Sequence, residues 1–180
     1  MIFTPAPLAG AFVVAPEPAA DERGLFARTF CAEEFARQGL CSEFPQASTS
    51  FNARAGTLRG MHYQAEPHAE SKLVRVARGA AYDVIVDLRP GSSTHRQWFA
   101  LELSADNRLA LYIPPGLAHG FQTLTDATEV FYQIAPPYVP DAARGVRWDD
   151  PAFAIRWPEA PGRILSARDR AFPDYRASVQ

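Results

Sequence analysis

Residues 81–89 read Ala-Tyr-Asp-Val-Ile-Val-Asp-Leu-Arg. Tyr82, Val84, Val86 and Leu88 share one face at a period of two, while Asp83 and Asp87 lie on the other, which is a strand pattern. The alternation recurs in Phe99, Leu101 and Leu103, in Leu109, Leu111 and Ile113, and in Val130, Tyr132 and Ile134. Residues 57–64 and 72–78 are also strand-like. Arg78-Gly79, Pro90-Gly91-Ser92, Ala105-Asp106-Asn107 and Thr125-Asp126 supply turns between them. Short strands at this spacing, with few helices, predict an all-β antiparallel sandwich or barrel. The one convincing helix candidate is 31–38, with Glu33 and Glu34 in its first turn and Gly39 as its stop.

Composition agrees with that reading. The chain has 180 residues, which suggests one domain spanning 1–180. Sixteen are proline, nearly twice the usual ~5%. They are spread along the chain, and interior proline breaks helices, so a long bundle or coiled coil is excluded. A net charge of −2 gives no footprint for nucleic-acid binding. No apolar run reaches the ~18 residues of a membrane span, and the N-terminus, with Pro5 and Pro7 and no cation before Arg23, does not read as a secretory signal. Cys31 and Cys41 admit a disulfide, but two free thiols in a cytoplasmic protein is the reading preferred. From Pro136 onward the chain turns irregular and rich in Pro, Trp and Arg, as expected of a tail, 136–180, wrapping the same domain.

Titratable residues gather in three segments. In Leu58-Arg59-Gly60-Met61-His62-Tyr63-Gln64, a strand would put Arg59, Met61 and Tyr63 on one face and His62 and Gln64 on the other. A single strand histidine is ordinarily structural, and Arg59 by itself reads as a surface cation. Lys72 opens the apolar run Lys72-Leu73-Val74-Arg75-Val76, where a snorkelling strand-end lysine is the ordinary meaning. Pro114-Pro115-Gly116-Leu117-Ala118-His119-Gly120-Phe121 resembles the second half of the cupin signature. The first half needs His-x-His, and His62-Tyr63-Gln64 lacks its second histidine. With four histidines in all (His62, His68, His95 and His119), a three-His metal site is not expected. The expectation is a cupin-like barrel without metal.

These segments together resemble the nucleotide-sugar 3,5-epimerases. The resemblance rests on Asp21-Glu22-Arg23-Gly24-Leu25-Phe26, the 58–64 and 72–76 runs, Asp83-Val84-Ile85-Val86-Asp87-Leu88-Arg89 and Pro115-Gly116-Leu117-Ala118-His119-Gly120-Phe121. It continues in Tyr138-Val139-Pro140, Trp148-Asp149-Asp150-Pro151 and Ser166-Ala167-Arg168-Asp169, in family order over nearly the whole chain. It implies a jelly-roll β-sandwich with a few short helices, and epimerisation of a nucleoside-diphosphate-linked 4-keto-6-deoxyhexose. No cofactor is implied. The 4-carbonyl acidifies the protons on C3 and C5, so the reaction needs a base, enolate stabilisation and an acid on the opposite face.

By resemblance, His62 is the base, Asp169 its hydrogen-bonded partner, Tyr132 the acid and Lys72 the stabiliser of the enolate oxygen. Arg23, Phe26, Arg28, Gln46, Ser48, Arg59, His119 and Tyr138 fall at substrate-binding positions. Arginine suits the diphosphate through its planar fork of donors, and Tyr138 can stack on a base. Three positions depart from the family: Arg28 where an acid is common, Ser48 for Asn, and Ala143 for Glu. They leave the base open between dTDP-, CDP- and GDP-linked sugars. A homodimer with an exchanged N-terminal strand, placing Arg23 and Arg28 near the neighbour's site, is a further implication. The rival readings are a 3-only or 5-only epimerase, a metal-dependent cupin oxygenase or isomerase, and a non-catalytic sugar-nucleotide-binding barrel.

Overall fold

The computed structural model describes residues 1–176. Two antiparallel sheets face each other, as the alternating runs predict. One is built from β1 (Ile2–Pro5), β2 (Phe12–Ala15), β10 (Ala110–Ile113), β7 (Ser71–Arg78), β12 (Thr128–Ala135) and β5 (Gln46–Asn52), in that order. The other runs β13 (Ala143–Gly145), β6 (Leu58–Gln64), β11 (Leu117–Thr123), β8 (Ala80–Asp87) and β9 (Trp98–Ser104). A separate hairpin, β3 (Ala19–Asp21) with β4 (Gly24–Phe26), belongs to neither sheet. β1 pairs with β2 of its own chain.

Period-two alternation decides what each sheet buries. Val74, Val76, Leu103, Leu111, Ile113, Phe121 and Val130 meet between the sheets, with Phe99, Leu101, Leu109 and Tyr132 packed against them. Both outer faces are also covered. Helix α1 (Ala32–Arg37) sits where the 31–38 signal places it, capped by Cys31 and Gln38, and Gly39 at φ +69° donates back to Ala36 O. It presses Phe35, fully buried, against Val14, Leu73, Ala110 and Tyr112 on the outside of the six-stranded sheet. Burying such a ring stabilises the fold by about 1.5–3 kcal/mol.

The outer face of the five-stranded sheet carries Tyr82, Val84, Val86 and Leu88, the apolar face of 81–89. The C-terminal segment covers it with Val146, Phe153, Ile155, Trp157 and Tyr175. The other face, bearing Asp83 and Asp87, is therefore the one turned inward between the sheets, and both aspartates are fully buried. Each is paired: Asp87 accepts from Arg89, Ser92 and Thr94, and Asp83 accepts from His119. A polar face in the sequence is here a paired interior face, because buried charge is tolerated only with hydrogen-bonded partners.

The segment after Pro136 is not wholly irregular. Pro140–Ala142 forms a 3₁₀ turn, and β13 adds a short edge beside β6. Helix α2 (Ala167–Arg170) starts at Ser166, whose Oγ accepts from the Asp169 N–H at 3.0 Å, satisfying one free helix donor. This cap sets Asp169 against β6.

Candidate active site

At one end of the sandwich a cavity of about 330 Å³ opens between the sheets. From the five-stranded sheet, β6 contributes Arg59, His62, Tyr63 and Gln64, and β11 contributes His119 and Phe121. From the six-stranded sheet, β5 contributes Ser48, Thr49 and Ser50, β7 contributes Lys72, and β12 contributes Tyr132 and Ile134. Glu70, Tyr138, Ala143, Arg144 and Arg168 complete the wall.

His62 and His119 are register neighbours on β6 and β11. The two strands approach so closely here that glycine is required on both. A Cβ on Gly60, at φ +135°, would lie 2.5 Å from Gly120 Cα, and one on Gly120 would lie 2.6 Å from Met61 Sδ. The His62 Nε2 lies 2.7 Å from Asp169 Oδ1, and Asp169 Oδ2 accepts from the Gly60 N–H at 3.3 Å. With Nε2–H donating to the carboxylate, Nδ1 is left as the acceptor nitrogen of the ring. Asp169 is 4% exposed. Burial alone would raise its pKa, but the hydrogen bond and charge of His62 and the Gly60 N–H outweigh it and hold the carboxyl below its ordinary value. His62, by contrast, keeps 42% of its side chain exposed, so a reactant can reach it.

His119 is nearly buried, its Nε2 2.9 Å from Asp83 Oδ2. The Tyr132 ring stands edge-on to it with centroids 6.1 Å apart. Burial pushes the Tyr132 phenol well above its usual range; the Asp83 carboxylate adds to this, and Arg59 partly opposes it. Tyr132 is thus a neutral phenol with a proton to give at any ordinary pH. Arg59 is itself held by the buried Asn52, Nε to Oδ1 at 2.8 Å. Lys72 Nζ donates to Glu70 Oε1 at 2.7 Å and to His62 O at 3.4 Å. Arg168 stacks toward Phe172 at 5.9 Å, and Phe172 packs edge-on to His62. Among the described residues of the lining, Arg59, Lys72, Arg144 and Arg168 stand against the single acid Glu70, a positive balance that suits a diphosphate and a developing enolate.

The structure brings together His62, Asp169, Tyr132 and Lys72, and with them Ser48, Arg59, His119 and Tyr138. It does not bring Arg23, Phe26, Arg28 or Gln46 into the lining. Arg23 is 84% exposed and ion-paired with Asp21, and Phe26 is 79% exposed; both belong to the β3–β4 hairpin. Arg28 pairs with Glu34 on α1. Gln46 acts from behind, its Oε1 accepting from the Tyr138 N–H at 2.8 Å. Sequence reasoning missed Glu70, Asp83, Asn52, Arg144 and Arg168 as site residues. Glu70 had a signal, its two-residue spacing from Lys72, and Arg168 stands beside Asp169. The roles of Asp83 and Asn52 depend on cross-strand register and had none. Among the described residues, no three His, Cys, Asp or Glu side chains are grouped as metal ligands would be.

Similarity to known proteins agrees with this geometry. A relative from Sinorhizobium fredii named dTDP-4-dehydrorhamnose 3,5-epimerase is 40% identical over 96% of this chain and 89% of its own. The crystal structure of a dTDP-4-dehydrorhamnose 3,5-epimerase from Bacillus anthracis, with TDP and PPi bound, superposes at a TM-score of 0.93. It is 40% identical, covering 97% of this chain and 99% of its own. A 3′-monoepimerase from Streptomyces bikiniensis, in complex with dTDP-quinovose, superposes at 0.88 with 33% identity over 94% of this chain and 85% of its own. The family model described as dTDP-4-dehydrorhamnose 3,5-epimerase matches residues 5–177, and the chain belongs to that family.

Proposed function

We propose that this epimerase acts on a dTDP-linked 4-keto-6-deoxyhexose and inverts C3 and C5 through an enolate. The observation that carries the reading is the placement of His62 and Tyr132. They line one cavity from opposite sheets, β6 and β12, so a sugar ring between them meets a base on one face and an acid on the other. Inversion requires that arrangement, since the returning proton must arrive opposite the one removed.

In this reading Nδ1 of His62 takes the proton from the carbon beside the ketone. Asp169, buried and anionic, stabilises the imidazolium that forms. The Lys72 ammonium lies at the ketone oxygen as charge develops there. Tyr132 delivers its phenolic proton from the far face. Arg59, Arg144 and Arg168 face the diphosphate, and Tyr138, 45% exposed at the rim, stacks on the base.

Arg23 and Phe26 lie outside their own cavity on an exposed hairpin, which is what an element exchanged between subunits requires. We therefore read the working unit as a homodimer of single-domain chains in which this hairpin completes the neighbour's site, with Arg28 at its base. Among the described residues no helix is long and apolar enough to cross a membrane. The free thiols of Cys31 and Cys41 fit a reducing cytoplasm.

Incubation with dTDP-, CDP- and GDP-4-keto-6-deoxyglucose in D₂O tests the reading. Deuterium should enter C3 and C5 of the dTDP sugar, and His62→Ala should abolish it. No exchange with any of the three sugars would remove the proposal. The similarity to a 3′-monoepimerase favours one second reading, inversion at C3 alone; retention of protium at C5 would select it.

A further inference from the structure

Glu70 immediately precedes β7, two residues before Lys72, and lines the same cavity. Its side chain is 7% exposed. One carboxylate oxygen, Oε1, accepts from Lys72 Nζ at 2.7 Å. The other, Oε2, is buried and without a hydrogen-bond partner among the described residues. An unpaired buried charged oxygen is costly, and native proteins satisfy such atoms with a protein group, water or ligand. Glu70 lines the cavity, so a group bound there can supply the missing donor.

The chemistry of the substrate identifies that donor. Lys72 is placed at the C4 ketone oxygen in the proposed function, and this inference rests on that placement. Of the two carbons flanking C4, C5 bears a methyl group with nothing to donate, and C3 bears a hydroxyl. The C3 hydroxyl is vicinal to the ketone oxygen, so a carboxylate bonded to the same ammonium comes within its reach. We infer that Glu70 is a specificity-determining residue: Oε2 accepts a hydrogen bond from the C3 hydroxyl while Oε1 holds Lys72 on the ketone oxygen. A site built to bond a hydroxyl rejects the analogue lacking it, because its own polar atom is then left unpaired.

The test compares dTDP-4-keto-6-deoxyglucose with its 3-deoxy counterpart as substrates for C5 exchange in D₂O. Collapse of the C6 methyl doublet reports exchange at C5 in both sugars. Wild-type protein should prefer the 3-hydroxy sugar by about tenfold or more in kcat/KM. Glu70→Met, close in volume, should shrink that preference to within about threefold, because any effect transmitted only through Lys72 slows both sugars alike and cancels in the ratio. Should Glu70→Met fail to fold, Glu70→Leu removes both carboxylate oxygens and gives the same test, and the wild-type comparison needs no variant. A wild type indifferent to the C3 hydroxyl, or a variant with undiminished preference, overturns the inference and leaves the epimerase reading standing. Absence of C5 exchange by wild type with both sugars overturns C5 chemistry and this inference together.

Discussion

Replacing Asp169 by Asn removes one charge and almost no volume, so it isolates what the carboxylate does. In the native site Oδ1 pairs with His62 Nε2 at 2.7 Å and Oδ2 with the Gly60 N–H at 3.3 Å; both partners are donors. An asparagine has one acceptor oxygen and one donor nitrogen, so it cannot accept from both. If its oxygen keeps Nε2–H, its amide faces the Gly60 N–H, and the charge proposed to stabilise the imidazolium is gone. A hydrogen bond to a charged group contributes ~1.5–3 kcal/mol, and at ~1.4 kcal/mol per decade this is about 10- to 150-fold in rate. If its nitrogen instead donates to Nε2, the ring proton is driven to Nδ1, the nitrogen proposed to accept from carbon, and the loss is larger still. The expected result is at least a tenfold slower wash-in of deuterium at C3 and C5, with KM little changed. The assay is NMR of the dTDP sugar in D₂O across a pD series, with thermal unfolding run beside it to confirm that the variant is folded. A folded Asp169→Asn protein exchanging within threefold of wild type would refute the pairing as catalytic.

Three other outcomes follow from the geometry. Tyr132→Phe should lower net inversion by about 10²–10⁴, the range of a general acid, while deuterium exchange with retention falls far less; polarimetry or NMR against mass spectrometry separates the two. Asp87→Ala should cost about 3–5 kcal/mol in urea unfolding, because it strands Arg89, Ser92 and Thr94 around a buried site. Burial would raise the Asp87 carboxyl, but these partners hold it far below its ordinary value, so its stabilising effect is complete above the usual 3.8 and fades at more acid pH. The deficit of the variant should accordingly be full at pH 7 and narrow as pH drops below 3.8. Gly120→Ala should lower both stability and activity, since its methyl would meet Met61 Sδ and the Arg59 carbonyl between the two histidine-bearing strands; an unchanged Tm would contradict that packing.

Much of the molecule is legible in the chain itself, for a physical reason. Side chains on a strand alternate faces, so residues 81–89, 99–103, 109–113 and 130–134 announce strands and their apolar sides without reference to partners. The α1 helix is equally local, with acids in its first turn and glycine at its stop. His62, Tyr132 and Lys72 lie on such strands, within motifs specific enough to carry over by resemblance. β5 was not legible, because Gln46-Ala47-Ser48-Thr49-Ser50-Phe51-Asn52 lacks apolar alternation and becomes a strand by pairing with β12. β13 is three residues long and exists through its pairing with β6.

The tertiary structure decided what depends on distance along the chain. Asp169 meets His62 across 107 residues, and Asp83 meets His119 across 36. Whether the aspartates of 81–89 face solvent or interior turned on the C-terminal segment, which covers the opposite face and leaves them between the sheets. The same folding separated Arg23, Phe26 and Arg28 from the cavity that their motif accompanies in sequence, and brought Glu70 into it with one oxygen unpaired. Local pattern determines which way a side chain points relative to its neighbours on a regular strand; β6, whose pairing with β11 shifts register, instead puts Arg59, His62, Tyr63 and Gln64 all on the cavity. What it points at is decided by which strands pair and in what register.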